Sequence, residues 1–306
     1  MKRPIIAVAG PTASGKTDLG KYLAQKYNGV VVSIDSRQIY TGLDIGTGKD
    51  KSFHQEMIDI INPPKNNTQN NTLEVITGYT SGFSVTQFVE RALPIIEKIY
   101  QQNKLPIFVG GTGYYLDALL YTQSFPNIND PKIKIELEKM STQELVNILT
   151  KLDPISVQRC QKNRRRLIRA LEIVKTTGQP VSKTQKNSRF NHLLLILDPG
   201  KEKLDKLIEL RMKKKFQVGM IDEVKQLLKK VDSKWLINLG LEYKYITLYL
   251  LGELSQPEMK IQLLTAEKQY SNRQRTWFRR YKEAIWIDNP QKAVSIVNKF
   301  VLTYNR

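Results

Sequence analysis

The sequence predicts an α/β protein with a parallel sheet, interrupted by a helical insertion. Three observations carry that expectation. Short apolar runs without alternation stand at Ile5–Ala9, Val30–Ile34, Pro106–Val109 and Leu193–Leu197, the pattern of strands buried on both faces. The first run leads into Gly10-Pro11-Thr12-Ala13-Ser14-Gly15-Lys16-Thr17, which fits the spacing G-x-x-x-x-G-K-[ST] of a phosphate-binding loop. Between Thr122 and Asn191 the strand-like runs disappear and helix start signals follow one another. The expected division is 1–122 and 191–306 for two parts of one core, with 123–190 as the helical insert.

Behind the loop, Thr17–Tyr27 carries Leu19, Leu23, Ala24 and Tyr27 at helical period. A strand feeding a glycine loop into a helix start aims backbone N–H groups and a positive dipole end at one spot. Lys16 adds a mobile cation for polyphosphate oxygens, and the Thr17 hydroxyl can hold Mg²⁺. The loop speaks for a diphosphate or triphosphate and is silent on what carries it.

The second apolar run ends at Asp35-Ser36-Arg37-Gln38-Ile39-Tyr40. Residues past the carboxyl ends of parallel strands face the ligand crevice, so Asp35 is expected on the side of the phosphate loop. A turn or helix cap is its alternative role. Residues 41–56 read as loop, Met57–Ile61 as a strand, and 62–71, with two prolines and five asparagines, as an exposed loop. Ser84 with Gln87 forms a capping box for a helix running to about Gln102. The run Pro106–Val109 then enters a second glycine loop, Gly110-Gly111-Thr112-Gly113-Tyr114-Tyr115.

In the insert, Asp130 before Pro131 and Ser141 with Glu144 each start a helix. A further helix, Asn163–Val174, is stopped by Gly178 and Pro180. Leu167, Ala170, Leu171 and Val174 share one of its faces, while Arg165 and Arg169 stand one turn apart on another. That arginine row is either a solvated face or a phosphate contact surface.

The core resumes at Leu193–Asp198. Asp198 competes with Asp35 as the acidic partner of a metal. Helices are expected at Leu204–Phe216, Gly219–Lys230, Tyr245–Leu251 and Gln262–Tyr281, then a strand at Ala284–Ile287 and a final helix. The long helix mixes Lys268, Arg273, Arg275, Arg279 and Arg280 with Tyr270, Trp277, Phe278 and Tyr281. Basic residues interleaved with aromatics suit a single-stranded nucleic acid; core packing is the alternative for the aromatics.

Charge supports a polyanionic partner. Among 306 residues, 48 Lys+Arg against 29 Asp+Glu give +19, and the clusters above favour nucleic acid over an even scatter of lysine. Cys160 is the only cysteine, which excludes an intrachain disulfide framework or a multi-cysteine zinc site. His54 and His192 are isolated and lack metal-ligand spacing. No apolar run reaches membrane-span length, and the first is too short for a signal peptide. A cytoplasmic protein is expected.

Taken together, several motifs resemble the tRNA dimethylallyltransferase family. They are GPTASGKT at Gly10–Thr17, Ser33–Tyr40, Gly42-Leu43-Asp44-Ile45-Gly46-Thr47, Val109–Tyr115, Asn163-Arg164-Arg165-Arg166 with Arg169-Ala170-Leu171-Glu172, and Arg273-Gln274 with Thr276-Trp277-Phe278-Arg279. They run nearly end to end in the family's order. The resemblance implies transfer of a dimethylallyl group from dimethylallyl diphosphate to N6 of the adenosine beside the anticodon of tRNA. It also implies a phosphate-loop core with a helical tRNA-binding insert, magnesium as cofactor, the anticodon stem-loop as partner, and a monomer.

Carried over by position, Gly10, Pro11, Thr12, Ala13, Ser14, Gly15, Lys16 and Thr17 would hold the donor diphosphate, with Arg211 assisting and Thr17 on the metal. Asp35, Thr12 and Arg211 would act in the reaction, Asp35 as general base. Asp35, Ser36, Arg37, Gln38, Thr112, Lys134, Arg165, Arg166, Arg169, Gly240, Lys268, Arg273 and Gln274 would meet tRNA. The chain departs from the family pattern at 62–71, which is longer, at Leu239–Lys244, and at Glu267–Asn272. Two other classes remain open on the loop and the charge: a kinase using ATP, and a nucleic-acid-binding NTPase.

Overall fold

The computed structural model describes residues 2–65, 83–123, 130–181 and 186–303. Most of the asparagine-rich stretch, 66–71, lies outside the described residues. The chain divides into two compact units: described residues of Met1–Gln69, Phe83–Leu120 and Phe190–Arg306 form the first, and those of Tyr121–Arg189 belong to the second.

In the first unit the chain begins with β1 (Pro4–Ala9), α1 (Lys16–Lys26), β2 (Gly29–Ser33) and β3 (Gln55–Glu56). It continues with α2 (Val85–Gln101), β4 (Leu105–Gly110) and α3 (Gly113–Leu120). The second unit holds β5 (Tyr121–Gln123), α4 (Pro131–Lys139), α5 (Thr142–Leu152), α6 (Pro154–Cys160), α7 (Arg164–Thr177) and β6 (Lys186–Ser188). The first unit then resumes with β7 (Asn191–Leu197), α8 (Lys201–Gln217), α9 (Met220–Leu228), α10 (Ser233–Leu239) and α11 (Leu241–Leu250). It closes with α12 (Gln256–Phe278), β8 (Ile285–Ile287) and α13 (Gln291–Leu302).

Among the described residues, six strands form one sheet in the order β3-β2-β4-β1-β7-β8, and every pairing is parallel. Apolar runs without alternation demand cover on both faces, and both are covered. Ile6, Val8, Val31, Ile107, Val109 and Leu195 bury against Leu19 and Leu23 of α1 and Ala293 and Val297 of α13. On the other face, Ile5, Ala7 and Phe108 are fully buried, and α2 packs on β4 with Phe88, Ala92, Ile96 and Ile99 turned inward. Each such aliphatic or aromatic side chain contributes about 1.5–3 kcal/mol when buried. The capping box of α2 forms as expected, with Ser84 and Gln87 bonding each other's backbone N–H.

The structure corrects several boundaries. Met57–Ile61 is not a strand: Met57 (φ 65°) and Asp59 (φ 51°) take left-handed backbone, and only Gln55–Glu56 pairs with β2. The helix α10 arises where none was expected, capped by Asp232 and anchored by buried Trp235 and Leu236. Gly240 separates it from α11, which starts at Leu241 rather than Tyr245. The long helix starts six residues early, at Gln256, because Ser255 and Glu258 form its capping box.

In the second unit, β5 and β6 pair antiparallel. Its helices close over Leu137, Leu145, Leu149, Leu167, Leu171 and Val174. Asn163 caps α7, and Gly178 ends it in left-handed backbone. No helix among the described residues is long and apolar enough to cross a membrane.

Candidate active site

Four parallel strands deliver their carboxyl ends to one rim of the sheet in the first unit. After β1, Gly10–Thr17 turns into α1, and Gly15 (φ 88°) supplies the left-handed step before Lys16. No side chain caps α1, so its first-turn N–H groups face outward for an anion. Lys16 Nζ donates to Pro11 O at 3.0 Å. Burial, reinforced by the nearby Arg211 charge, lowers the Lys16 ammonium to about 8, with Asp35 pulling the other way.

After β2, Asp35 Oδ1 accepts from the backbone N–H of Arg37 at 2.8 Å and of Gln38 at 3.3 Å. The turn-cap role and the crevice position therefore coexist. Gln38 is fixed from both ends: Ser33 Oγ donates to its Oε1 at 2.7 Å, and its Nε2 donates to Thr47 O and Gly48 O at 3.4 Å. Arg37 donates through Nε to Leu239 O at 2.6 Å, so the end of α10 orients it.

After β4, Gly110 lies so close to β2 that a Cβ would sit 2.1 Å from Ile34 O. Gln274 of α12 then ties the two glycine loops together. Its Oε1 accepts from Thr12 N, and its Nε2 donates to Gly111 O, both at 2.8 Å. From α8, Arg211 Nη1 donates to Thr12 Oγ1 at 3.0 Å. Its guanidinium fits only because Gly48 lacks a side chain, since a Cβ there would be 2.1 Å from Nη2.

The loop beneath Arg211 is held by one carboxylate. Glu223 of α9 accepts from the N–H groups of Asp44, Ile45 and Gly46 at 2.6–3.0 Å, and Tyr243 OH donates to it at 2.9 Å. The result is a cleft of about 380 Å³ lined by Thr12, Lys16, Thr17, Asp35, Arg37, Gln38, Arg211, Gly240, Arg273 and Gln274, among others. Cations dominate the phosphate-loop side, and a carboxylate with hydrogen-bonding groups stands opposite. The IPP transferase family model matches residues 38–281.

The chain belongs to the IPP transferase family. It is 35% identical to a tRNA dimethylallyltransferase of Pelotomaculum thermopropionicum over 94% of this chain and 91% of that one. The full-length tRNA isopentenylpyrophosphate transferase of Bacillus halodurans superposes with a TM-score of 0.70 at 30% identity, over 99% of this chain and 96% of that one. A eukaryotic dimethylallyltransferase acting on tRNA gives a TM-score of 0.80 at 25% identity, covering 98% of this chain and 80% of that one.

Within this IPP transferase fold, not every expected residue reaches the cleft. Ser36 Oγ accepts from Arg37 Nη1 at 2.8 Å, which makes it a brace for that guanidinium. The Thr112 carbonyl accepts from Tyr115 and Leu116 at the start of α3. Lys268 lies on α12 outside the cleft lining. Lys134, Arg165, Arg166 and Arg169 belong to the second unit. There Arg169 Nη1 pairs with Glu172 at 3.1 Å, while Arg165 and Arg166 are exposed.

Asp198 has partners within the protein. Its Oδ2 accepts from Arg275 Nε at 2.7 Å and its Oδ1 from Gly200 N at 3.1 Å, so it holds α12 and the turn into α8. The core-packing alternative holds for Phe278, whereas Trp277 is half-buried with Arg280 over its ring. Phe278 is fully buried, and the Trp277 ring fills the space above Gly113, where a Cβ would lie 2.2 Å away. Tyr281 is buried too, donating to Asp117 at 2.6 Å. Tyr270 lines the cleft.

Sequence reasoning missed Glu223, Lys215, Glu242 and Glu267. The glycine-dense Gly42–Gly48 hinted that something must hold this loop, but a helical glutamate nearly two hundred residues on carries no local signal.

Proposed function

We propose that this protein transfers a dimethylallyl group from dimethylallyl diphosphate to N6 of the adenosine adjacent to the anticodon in tRNA, releasing diphosphate. One observation carries the reading: a phosphate loop, Arg211 and the Asp35 carboxylate converge in one cleft of an IPP transferase. The relatives' names supply the reaction.

The donor diphosphate sits against the Gly10–Thr17 amides, Lys16 and Arg211. The allylic carbon–oxygen bond breaks as charge builds on the leaving diphosphate, where fixed donors act most strongly. Thr12, whose N–H is held by Gln274 and whose Oγ1 accepts from Arg211, adds its hydroxyl hydrogen to that group. Thr17 would hold magnesium, which would supply charge neutralisation there; a hydroxyl beside an open phosphate loop suits a hard, oxygen-seeking cation.

The adenine amine is a poor nucleophile because its lone pair is delocalised into the ring. As N6 bonds to the allylic carbon it sheds a proton, and the Asp35 carboxylate accepts it. Gln38 and Arg37, both pinned by the surrounding backbone, orient the base. An unpaired anticodon-loop nucleotide reaches such a cleft more cheaply than one in a duplex. The Arg165 and Arg166 side chains of the second unit serve as RNA backbone contacts.

The test is direct. Purified protein, Mg²⁺, unmodified tRNA and dimethylallyl diphosphate are mixed without ATP, and tRNA is digested and weighed by mass spectrometry. A dimethylallyl increment on the adenosine beside the anticodon is expected. Unmodified tRNA here, with ATP consumed in a parallel mixture that contains it, would instead make the protein a phosphoryl-transfer enzyme.

A further inference from the structure

Three helices of the first unit bring Arg211 together with three charged side chains that the transfer chemistry above leaves unused. From α8 come Arg211 and Lys215, from α11 Glu242, and from α12 Glu267, and Arg211, Glu242 and Glu267 line the cleft. Lys215 is buried and donates to Gly46 O at 2.6 Å and to Glu242 Oε1 at 2.5 Å. Glu267 is only 4% exposed, and its Oε1 has no hydrogen-bond partner. Its carboxyl lies near that of Glu242, in the same cleft lining. A buried carboxyl with an unpartnered oxygen near a second carboxyl favours its protonated form.

We propose that Glu267 and Glu242 form a carboxyl pair beside the donor site that holds one proton while diphosphate is bound and gives it up when the cleft empties. Glu267 is then a positioning residue for the donor, acting through Arg211 and Lys215. The inference rests on the reading of this cleft as a diphosphate site.

The neighbours decide where the proton sits. Burial opposes ionisation of Glu242, but Lys215 and Arg211 outweigh it and hold this carboxyl below its ordinary range. Burial, and then the Glu242 charge, push Glu267 up to about 7, with Lys215 and Arg211 pulling against them. The phenols facing the pair, Tyr243 and Tyr270, are raised by burial and by Glu242 and stay protonated. The loop contributes only the Gly46 carbonyl.

With Glu267 ionised, two carboxylates balance Lys215 and Arg211. With it protonated, one positive charge is left over for an anion. A bound polyanion in turn favours the protonated carboxyl, so binding and proton uptake are linked. Donor affinity therefore falls as pH rises through neutrality.

Calorimetric titration with magnesium pyrophosphate, in buffers of different ionisation enthalpy, counts the protons taken up. The comparison is wild type against Glu267→Gln, whose amide keeps the shape of the carboxyl but cannot titrate. From about pH 6 to about pH 8, wild type is expected to lose roughly three- to tenfold more affinity than the variant, with more protons taken up near neutrality. Ionisation of the ligand and of Lys16 is common to both proteins and cancels. Infrared difference spectra should show a protonated-carboxyl stretch gained on binding in wild type and not in Glu267→Gln. Should the Gln variant fail to fold, Glu267→Thr removes the same titrating group. Equal proton counts and no infrared difference overturn the proposal. Prenyl transfer to tRNA without the proton difference sinks this inference alone; the proton difference without transfer sinks the functional reading alone.

Discussion

Asp35 divides its two oxygens between structure and chemistry. Oδ1 takes the N–H groups of Arg37 and Gln38, leaving Oδ2 to receive a proton. Asp35→Asn preserves an oxygen for the turn but removes the base, so turnover should fall by about 10²–10⁴ with tRNA binding and thermal melting little changed. A folded Asn variant of normal turnover would remove Asp35 from the mechanism. Lys16 sets a second limb of the pH profile. Its ammonium titrates at about 8 in the free cleft, and a bound diphosphate pulls that value up by charge attraction. Donor affinity should therefore decline further above about pH 8, beyond the fall through neutrality, as the free enzyme loses this charge. Lys16→Ala should weaken pyrophosphate binding and abolish that upper limb in a binding titration, with tRNA affinity unaffected.

Elements place these residues, and the loop Gly42–Gly48 shows how closely. Glu223 gathers three of its N–H groups, Lys215 takes the Gly46 carbonyl, and the bare Cα of Gly48 admits Arg211. Gly48→Ala adds a Cβ into the guanidinium at a residue with φ 65°. The expected outcome is a displaced Arg211 and about tenfold weaker pyrophosphate binding, the loss of one charge-assisted bond, measured by calorimetry. Stability should drop as well, because alanine is strained in left-handed backbone. Unchanged pyrophosphate affinity in the folded variant would show that Arg211 does not hold the donor.

Across the molecule, a charge of +19 makes affinity for a polyanion salt-dependent. In the second unit Arg165, Arg166 and Arg169 are all exposed, and Arg169 also pairs with Glu172, which is buried. Replacing Arg165 and Arg166 together with Ala should lower the slope of log affinity for tRNA against log salt by roughly 1.4–1.8, or 0.7–0.9 for each RNA phosphate no longer neutralised. Pyrophosphate binding should be untouched. An unaltered slope would mean that these arginines only solvate the helix. Arg169→Ala should show itself in melting instead, because it leaves the Glu172 carboxylate without its partner.

The strands, the phosphate loop and the capped helices were legible in the sequence because their causes are local. Apolar runs demand burial on both faces, Gly15 permits one backbone turn, and Ser84 with Gln87 closes one helix end, whatever the rest of the chain does. The family motifs likewise marked Asp35, Arg211 and Gln274. Tertiary structure decided what those residues touch. Asp198, one of two candidate metal partners, accepts from Arg275 of a helix seventy-seven residues away; Phe278, read beside basic residues, turns inward, while Trp277 stays half-buried. Helical period fixes which residues share a face but not what that face meets. The meeting of Lys215, Glu242 and Glu267 is of the same kind: three helices had to pack before burial and opposite charge could set where a proton rests.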